Sequence, residues 1–122
     1  MDFDANKYKT GLAGQQSAED FLIKKGYEVL ARNYRIKSGE IDLVTKDGEY
    51  TVFIEVKYRR NLGFGLPREA VGVVKQQRII KTAMHYLMRH RLMDSDVRFD
   101  VVEVLEQQGQ LYISHIENAF SV

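Results

Sequence analysis

The chain has 122 residues, 44% of them apolar, with 18 lysines and arginines against 17 aspartates and glutamates and a net charge of +1. That length suits one domain, residues 1–122, with its own core, and no apolar run approaches the roughly 20 residues of a membrane span. The absence of cysteine excludes disulfides, thiolate metal sites and a cysteine nucleophile, and it fits a cytoplasmic protein.

Met1-Asp2-Phe3-Asp4 has neither the basic start nor the apolar core of a signal peptide, and residues to about Asn6 read as frayed. Residues 8–25 read as a helix: Tyr8, Leu12, Ala18, Leu22 and Ile23 approximate the 3.6-residue period, and Gly26 follows as a stop. Residues 27–36 read as a strand. Two more strands, 40–46 and 50–58, are rich in Ile, Val, Thr, Tyr and Phe and flank an Asp47-Gly48 hairpin signal. Asn61 to Leu66 reads as a loop. Pro67 fits the first turn of a helical region that runs to about Arg91, with a break near Gly72. Residues 97–105 and 110–116 form a last strand pair around Gly109. The order α-β-β-β-α-β-β implies an α/β fold, an α+β mixed sheet with helices packed on it.

The small net charge hides an asymmetry. Residues 57–91 hold 9 basic side chains and one acidic; residues 1–56 hold 8 and 10, and residues 92–122 hold one and 6. The local excess is a candidate polyanion surface, with Arg59, Arg60, Lys75, Arg78 and Lys81 as phosphate contacts. A solvated basic helix is the plain alternative.

Charge also stands inside two strands. Glu40 and Asp42 lie in one and Glu55 and Lys57 in the other, where charge is costly unless paired or bound to metal. A two-residue turn at Asp47-Gly48 would pair Lys46 with Glu49, oppose Glu40 to Glu55 and set Asp42 opposite Phe53. Opposed residues share a face, so Glu40, Asp42, Phe53, Glu55 and Lys57 fall on one side. A register shifted by two would oppose Asp42 to Glu55 and keep that facing; an odd loop would scatter them. The other side carries Ile41, Leu43, Val52, Ile54, Val56 and Tyr58 and reads as core. Clustered carboxylates raise one another's pKa unless a cation joins them, which suits Mg²⁺ or Mn²⁺ with Lys57 beside it. A cross-strand salt-bridge ladder, with Lys57 on Glu55 or Glu40, is the competing reading.

Among the helical polar residues, Gln76 falls on the stripe Val73, Ile80, Ala83, Met84, Leu87. It would either reach the carboxylates or a phosphate, or sit at the solvent edge. Gln15 and Glu19 share the stripe of Leu12 and Leu22 and are accessory candidates; a rim carboxylate is the plainer reading of Glu19. Phe64 is placed for base stacking, whereas Tyr58 and Tyr86 read as core. His85, His90 and His115 lack metal-ligand spacing and read as structural. There is no P-loop and no nucleophile elbow, and Gly63-Phe64-Gly65 is too short for a dinucleotide fingerprint.

Gly39-Glu40-Ile41-Asp42-Leu43, Phe53-Ile54-Glu55-Val56-Lys57-Tyr58-Arg59, Phe64-Gly65 and Glu69-Ala70-Val71 together resemble the YraN-like family of small bacterial proteins. Ala31 to Arg35, Lys75-Gln76 with Arg78, Ala83 and Tyr86-Leu87, and Arg98 to Val101 extend the resemblance over about residues 8–120. That family resembles a branch of the restriction-endonuclease-like superfamily, whose signature is Asp, a gap, then Asp/Glu-x-Lys. The resemblance implies a central mixed sheet flanked by helices. It also implies that Asp42, Glu55 and the Val56 carbonyl ligate Mg²⁺ or Mn²⁺ and that Lys57 is the catalytic lysine. Gln76 resembles a helix glutamine that some branches place beside the site; Glu40 stays an accessory. Two departures stand out: Ile41 replaces the signature proline, and Gln15 stands where the first-helix pattern usually has glutamate. The function implied is metal-dependent hydrolysis of phosphodiesters, most simply in DNA and in branched or single strands. The alternative is a nuclease-fold protein that binds nucleic acid or a protein partner without cutting. Resolvase-like relatives pair as dimers, which makes a homodimer an expectation here.

Overall fold

A computed structural model describes the backbone over residues 5–61 and 71–122 and the side chains over 14–60 and 71–122. Its elements are α1 (Ala5–Lys24), β1 (Glu28–Ile36), β2 (Gly39–Asp47), β3 (Tyr50–Asn61), α2 (Val73–Arg89), β4 (Asp96–Gln107) and β5 (Gln110–Phe120). The five strands form one mixed sheet in the order β1-β2-β3-β4-β5. Only β3 and β4 pair in parallel. Parallel neighbours need a crossover, and α2 lies in it, so the order α-β-β-β-α-β-β and the mixed α+β sheet are as expected.

Several bounds differ from expectation. Val71 and Gly72 are not helical, and Gly72 is extended at φ −65°, ψ 157° as the N-cap of α2. Pro67, the loop to Leu66 and Phe64 lie outside the described residues. β5 continues past residue 116 to Phe120, which pairs with Phe99 and stacks on it at 5.1 Å. Asn118, at φ 52°, forms the irregularity that carries the strand on, and its amide donates to Asp100 Oδ1 at 2.9 Å.

The β2–β3 turn also moves by one residue. Asp47 pairs with Tyr50, so the two turn residues are Gly48 and Glu49. Gly48 has φ 58°, a conformation glycine adopts without a Cβ clash. Asp47 stays in the strand, where it accepts from Arg98 Nη1 at 3.1 Å. The register is therefore shifted by two: Lys46 pairs with Thr51 and Leu43 with Ile54, not Lys46 with Glu49. Facing is preserved because the shift is even.

Both faces of the sheet are covered. Alternate residues of β3 serve two cores: Phe53 joins Val44, Phe99, Val101, Ile79, Ala83, Tyr86 and Leu87 under α2, and Val52 and Ile54 join Leu43, Val102, Val104, Ala18 and Leu22 under α1. The carboxylate side is thus no bare face; its centre is core. Ile41, expected with Leu43, packs with Tyr34 in the α2 core instead. Between them β1 is kinked at Asn33, φ 50°, which lies opposite Asp42 in the register. On α2 the buried stripe is Ile79, Thr82, Ala83, Tyr86 and Leu87. Val73 and Met84, expected on it, are exposed, as is Ile23 of α1. Thr82 can be buried because its hydroxyl donates to the Arg78 carbonyl at 2.8 Å.

Candidate metal centre

The β2–β3 pairing ends at Leu43 with Ile54. The next opposed residues are Asp42 and Glu55, at the point where the strands part. There the Val56 N–H donates to Asp42 Oδ2 at 2.8 Å. In an extended strand a residue's N–H and C=O leave from the same edge, so the Val56 carbonyl belongs to that gap. α2 closes over it because β2 begins with glycine. A Cβ on Gly39 would stand 2.5 Å from Thr82 Oγ1 and 3.1 Å from the Arg78 carbonyl oxygen. Any other residue would hold helix and strand apart.

The result is a cavity of about 930 Å³ lined by Glu40, Asp42 and Glu55, by Lys75 and Arg78 of α2, by Arg35 at the end of β1 and by Lys37 of the β1–β2 turn. Burial first, then the Glu55 carboxylate, pushes Asp42 up to about 7, against the pull of the Val56 amide; Glu40 adds to the rise and Lys75 opposes it. The Lys75 ammonium pairs with Glu55 Oε1, and that hydrogen bond raises the lysine pKa. Glu40 Oε2 accepts from Arg35 at 3.2 Å. One Asp42 oxygen is engaged by Val56, leaving the other, the Glu55 carboxylate and a backbone carbonyl as an all-oxygen donor set. Such a set fits a hard divalent cation.

Lys57 lies on the same β3 face, two residues beyond Glu55. It lines a neighbouring cavity of about 450 Å³ that shares Glu55 and Lys75 with the first. The other sequence candidates are more dispersed. Gln76 is half-buried and donates to the Val71 carbonyl at 2.8 Å. Gln15 donates to Asn33 Oδ1 at 3.0 Å, and buried Glu19 pairs with Arg32; neither lines the carboxylate cavity. Arg59 and Arg60 turn to β4, with Glu103 at 3.4 Å and Glu106 at 3.5 Å. Arg78 and Lys81 are exposed on α2. Tyr86 is buried, and Tyr58 packs on Gly14.

Two features escaped the sequence reading. Arg35 and Lys37 face the carboxylates but sit in a segment whose net charge is acidic. Their signal was the short turn that brings Arg35 opposite Glu40. The second is a polar network on the α1 face. Buried Asp100 accepts from Arg98 at two atoms, both at 2.9 Å, and from His115 Nε2 at 2.7 Å. Lys25 Nζ lies 2.9 Å from His115 Nδ1. Asp100, His115 and Glu117 offer ligand atoms within 4.8 Å of one another. Arg98 and Lys25 already fill that space with positive charge, and the lysine fixes the tautomer that donates from Nε2, so this cluster does not suit a metal. His85 contacts the Tyr34 hydroxyl at 2.6 Å, and His90 stacks on Tyr86.

Residues 14–104 match the model of a family described as "Uncharacterised protein family UPF0102". A UPF0102 protein of Lachnoclostridium phytofermentans is 47% identical over 116 residues, 94% of this chain and 95% of the relative. One from Trichlorobacter lovleyi is 46% identical over 114 residues, covering 92% and 90%. One from Caldicellulosiruptor saccharolyticus is 44% identical over 117 residues, covering 94% and 99%. No described helix is long and apolar enough to cross a membrane.

Proposed function

The chain belongs to the UPF0102 family, and from its carboxylate cavity we propose that it is a metal-dependent nuclease hydrolysing phosphodiesters, most simply in DNA. The observation that carries this reading is the meeting of Asp42, Glu55 and the Val56 edge at a cavity that Lys75, Arg78, Arg35 and Lys37 also line. Asp42, Glu55 and the Val56 carbonyl are the residues that would hold Mg²⁺ or Mn²⁺. Such an ion, when bound, supplies Lewis-acid polarisation of the phosphodiester and lowers the pKa of a water. Asp42 and Glu55 would supply carboxylate oxygens to that ion, and the Val56 N–H holds the Asp42 carboxylate in one orientation. Lys57, beside Glu55, offers an ammonium to orient the attacking water or neutralise charge developing on phosphorus. Arg35, Lys37 and Arg78, which line the cavity, would hold phosphates without reading sequence.

The test is cleavage of plasmid, single-stranded and branched DNA with Mg²⁺ or Mn²⁺ by the wild type, Asp42→Ala and Lys57→Ala. Loss of cleavage in both variants supports the reading, and unchanged cleavage in both refutes it.

A second reading, a nuclease-fold protein that binds nucleic acid without cutting, draws on Gln15, a neutral amide spent on Asn33. It predicts salt-dependent DNA binding with no cleavage under any metal.

A further inference from the structure

The cation on Glu55 comes from an unexpected place. Lys75 is the third residue of α2, counted from Val73. The N-terminal turn of a helix carries partial positive charge and disfavours a cation. The first turn of α2 holds no acidic residue and Gly72 supplies no side-chain cap, so nothing within the helix offsets Lys75. The offset comes from the sheet: Lys75 pairs with Glu55 and also feels Asp42 and Glu40. These are the carboxylates that would ligate or flank the metal.

A divalent ion would bring two positive charges to the same oxygens. Lys75 and the ion cannot share Glu55 without direct like-charge repulsion. The lysine can leave without backbone movement, because its side chain is 57% exposed and its four-carbon stem is flexible. The large cavity in front of it already holds Arg78.

We propose that Lys75 is the built-in counter-ion of the metal centre: it neutralises Glu55 in the metal-free protein, competes with the metal for that carboxylate, and is released into the cavity when the ion binds. This rests on Asp42 and Glu55 being metal ligands. It makes metal loading and lysine release a single exchange, so the ammonium becomes available to an anionic substrate only after the ion is in place. The pairing also makes the site selective by charge: a monovalent ion gains too little from the carboxylates to displace an ammonium that is already tethered.

The experiment is Mn²⁺ titration of the metal-free protein by calorimetry at low ionic strength, with wild type, Lys75→Met, Lys75→Gln and Asp42→Asn. The pair joins an exposed lysine to a buried carboxylate and so competes more strongly than a fully exposed pair, and both lysine variants are expected to bind Mn²⁺ about five- to tenfold more tightly than wild type. Asp42→Asn should lose most of the affinity. In wild type with ¹³C-labelled lysine, Mg²⁺ should shift one side-chain resonance that is missing from Lys75→Met. Equal or weaker Mn²⁺ binding by both lysine variants overturns the inference while leaving the metal centre intact. A Lys75 resonance that does not move on saturation with Mg²⁺ overturns it in the same way. If no protein in the series binds Mn²⁺, the inference fails together with the metal reading.

Discussion

Asp42→Asn should make the metal-free protein more stable, and increasingly so as pH rises. In the folded protein burial and Glu55 move Asp42 from 3.8 to about 7. A carboxyl whose folded pKa lies above its unfolded value binds its proton more tightly when folded. Its contribution is therefore full below about pH 4 and is lost as pH rises through about 7. At 1.36 kcal/mol per pH unit, that gap amounts to about 4 kcal/mol. Water reaching the open cavity screens part of that cost, so about 2–4 kcal/mol is expected. Asparagine keeps the shape and can still accept from the Val56 N–H, but it never ionises. Urea denaturation of wild type and Asp42→Asn with a chelator at pH 5 and pH 8 reads the effect. Comparing the two proteins at each pH cancels the titrating groups remote from the cavity. The variant's advantage should be about 1–1.5 kcal/mol at pH 5, already above the unfolded pKa, and reach about 2–4 kcal/mol at pH 8, which for a chain of this size is roughly 10 °C in Tm. An advantage that does not grow with pH would refute the claim that Asp42 is held against its charge. If Asp42 ligates a metal, wild type should gain Tm with Mn²⁺ and the variant should not, so stability and metal binding would move in opposite directions.

Three further outcomes follow from the geometry. Arg98→Met should cost about 3–5 kcal/mol by denaturation at neutral pH, because it strands the buried Asp100 carboxylate. Burial alone would raise the Asp100 pKa, but His115 and Arg98 outweigh it and hold it low, so wild type gains this stability above about pH 4 and loses it on acidification. Gly39→Ala should cost about 1–3 kcal/mol in thermal or urea unfolding and weaken Mn²⁺ binding, since the new Cβ meets Thr82 Oγ1 and the Arg78 carbonyl and levers α2 off the cavity. If the cavity binds DNA, Arg35→Ala/Lys37→Ala should lower the slope of log affinity against log salt by about 2, whereas Arg59→Ala/Arg60→Ala should leave it nearly unchanged.

The last outcome shows how the sequence was both informative and incomplete. Summing charge along the chain marked residues 57–91 as the basic surface, but Arg59 and Arg60 spend their charge on Glu103 and Glu106, two β4 residues more than forty positions away. Arg35 and Lys37, in an acidic segment, face the carboxylates instead. Linear charge sums fail where pairing is between strands. Gln15 and Glu19 show a similar limit. Their helix stripe was legible, but not which partners they meet, and they are engaged with Asn33 and Arg32 of β1.

What the sequence alone determined is the order of elements and the convergence of Asp42, Glu55 and Lys57 on one face. Side chains alternate with period two, so any even shift of a hairpin keeps the same set together, and the two-residue error in register left Asp42, Glu55 and Lys57 on one face, although Ile41 crossed to the α2 core at the Asn33 kink. Tertiary structure decided what surrounds that set. Gly39 lets α2 approach the sheet closely, the strands part beyond Leu43, and the approach delivers Lys75 to Glu55. Twenty residues separate that lysine from that glutamate in the chain. No local period links a helix's first turn to a strand beneath it; only the packing of one against the other does.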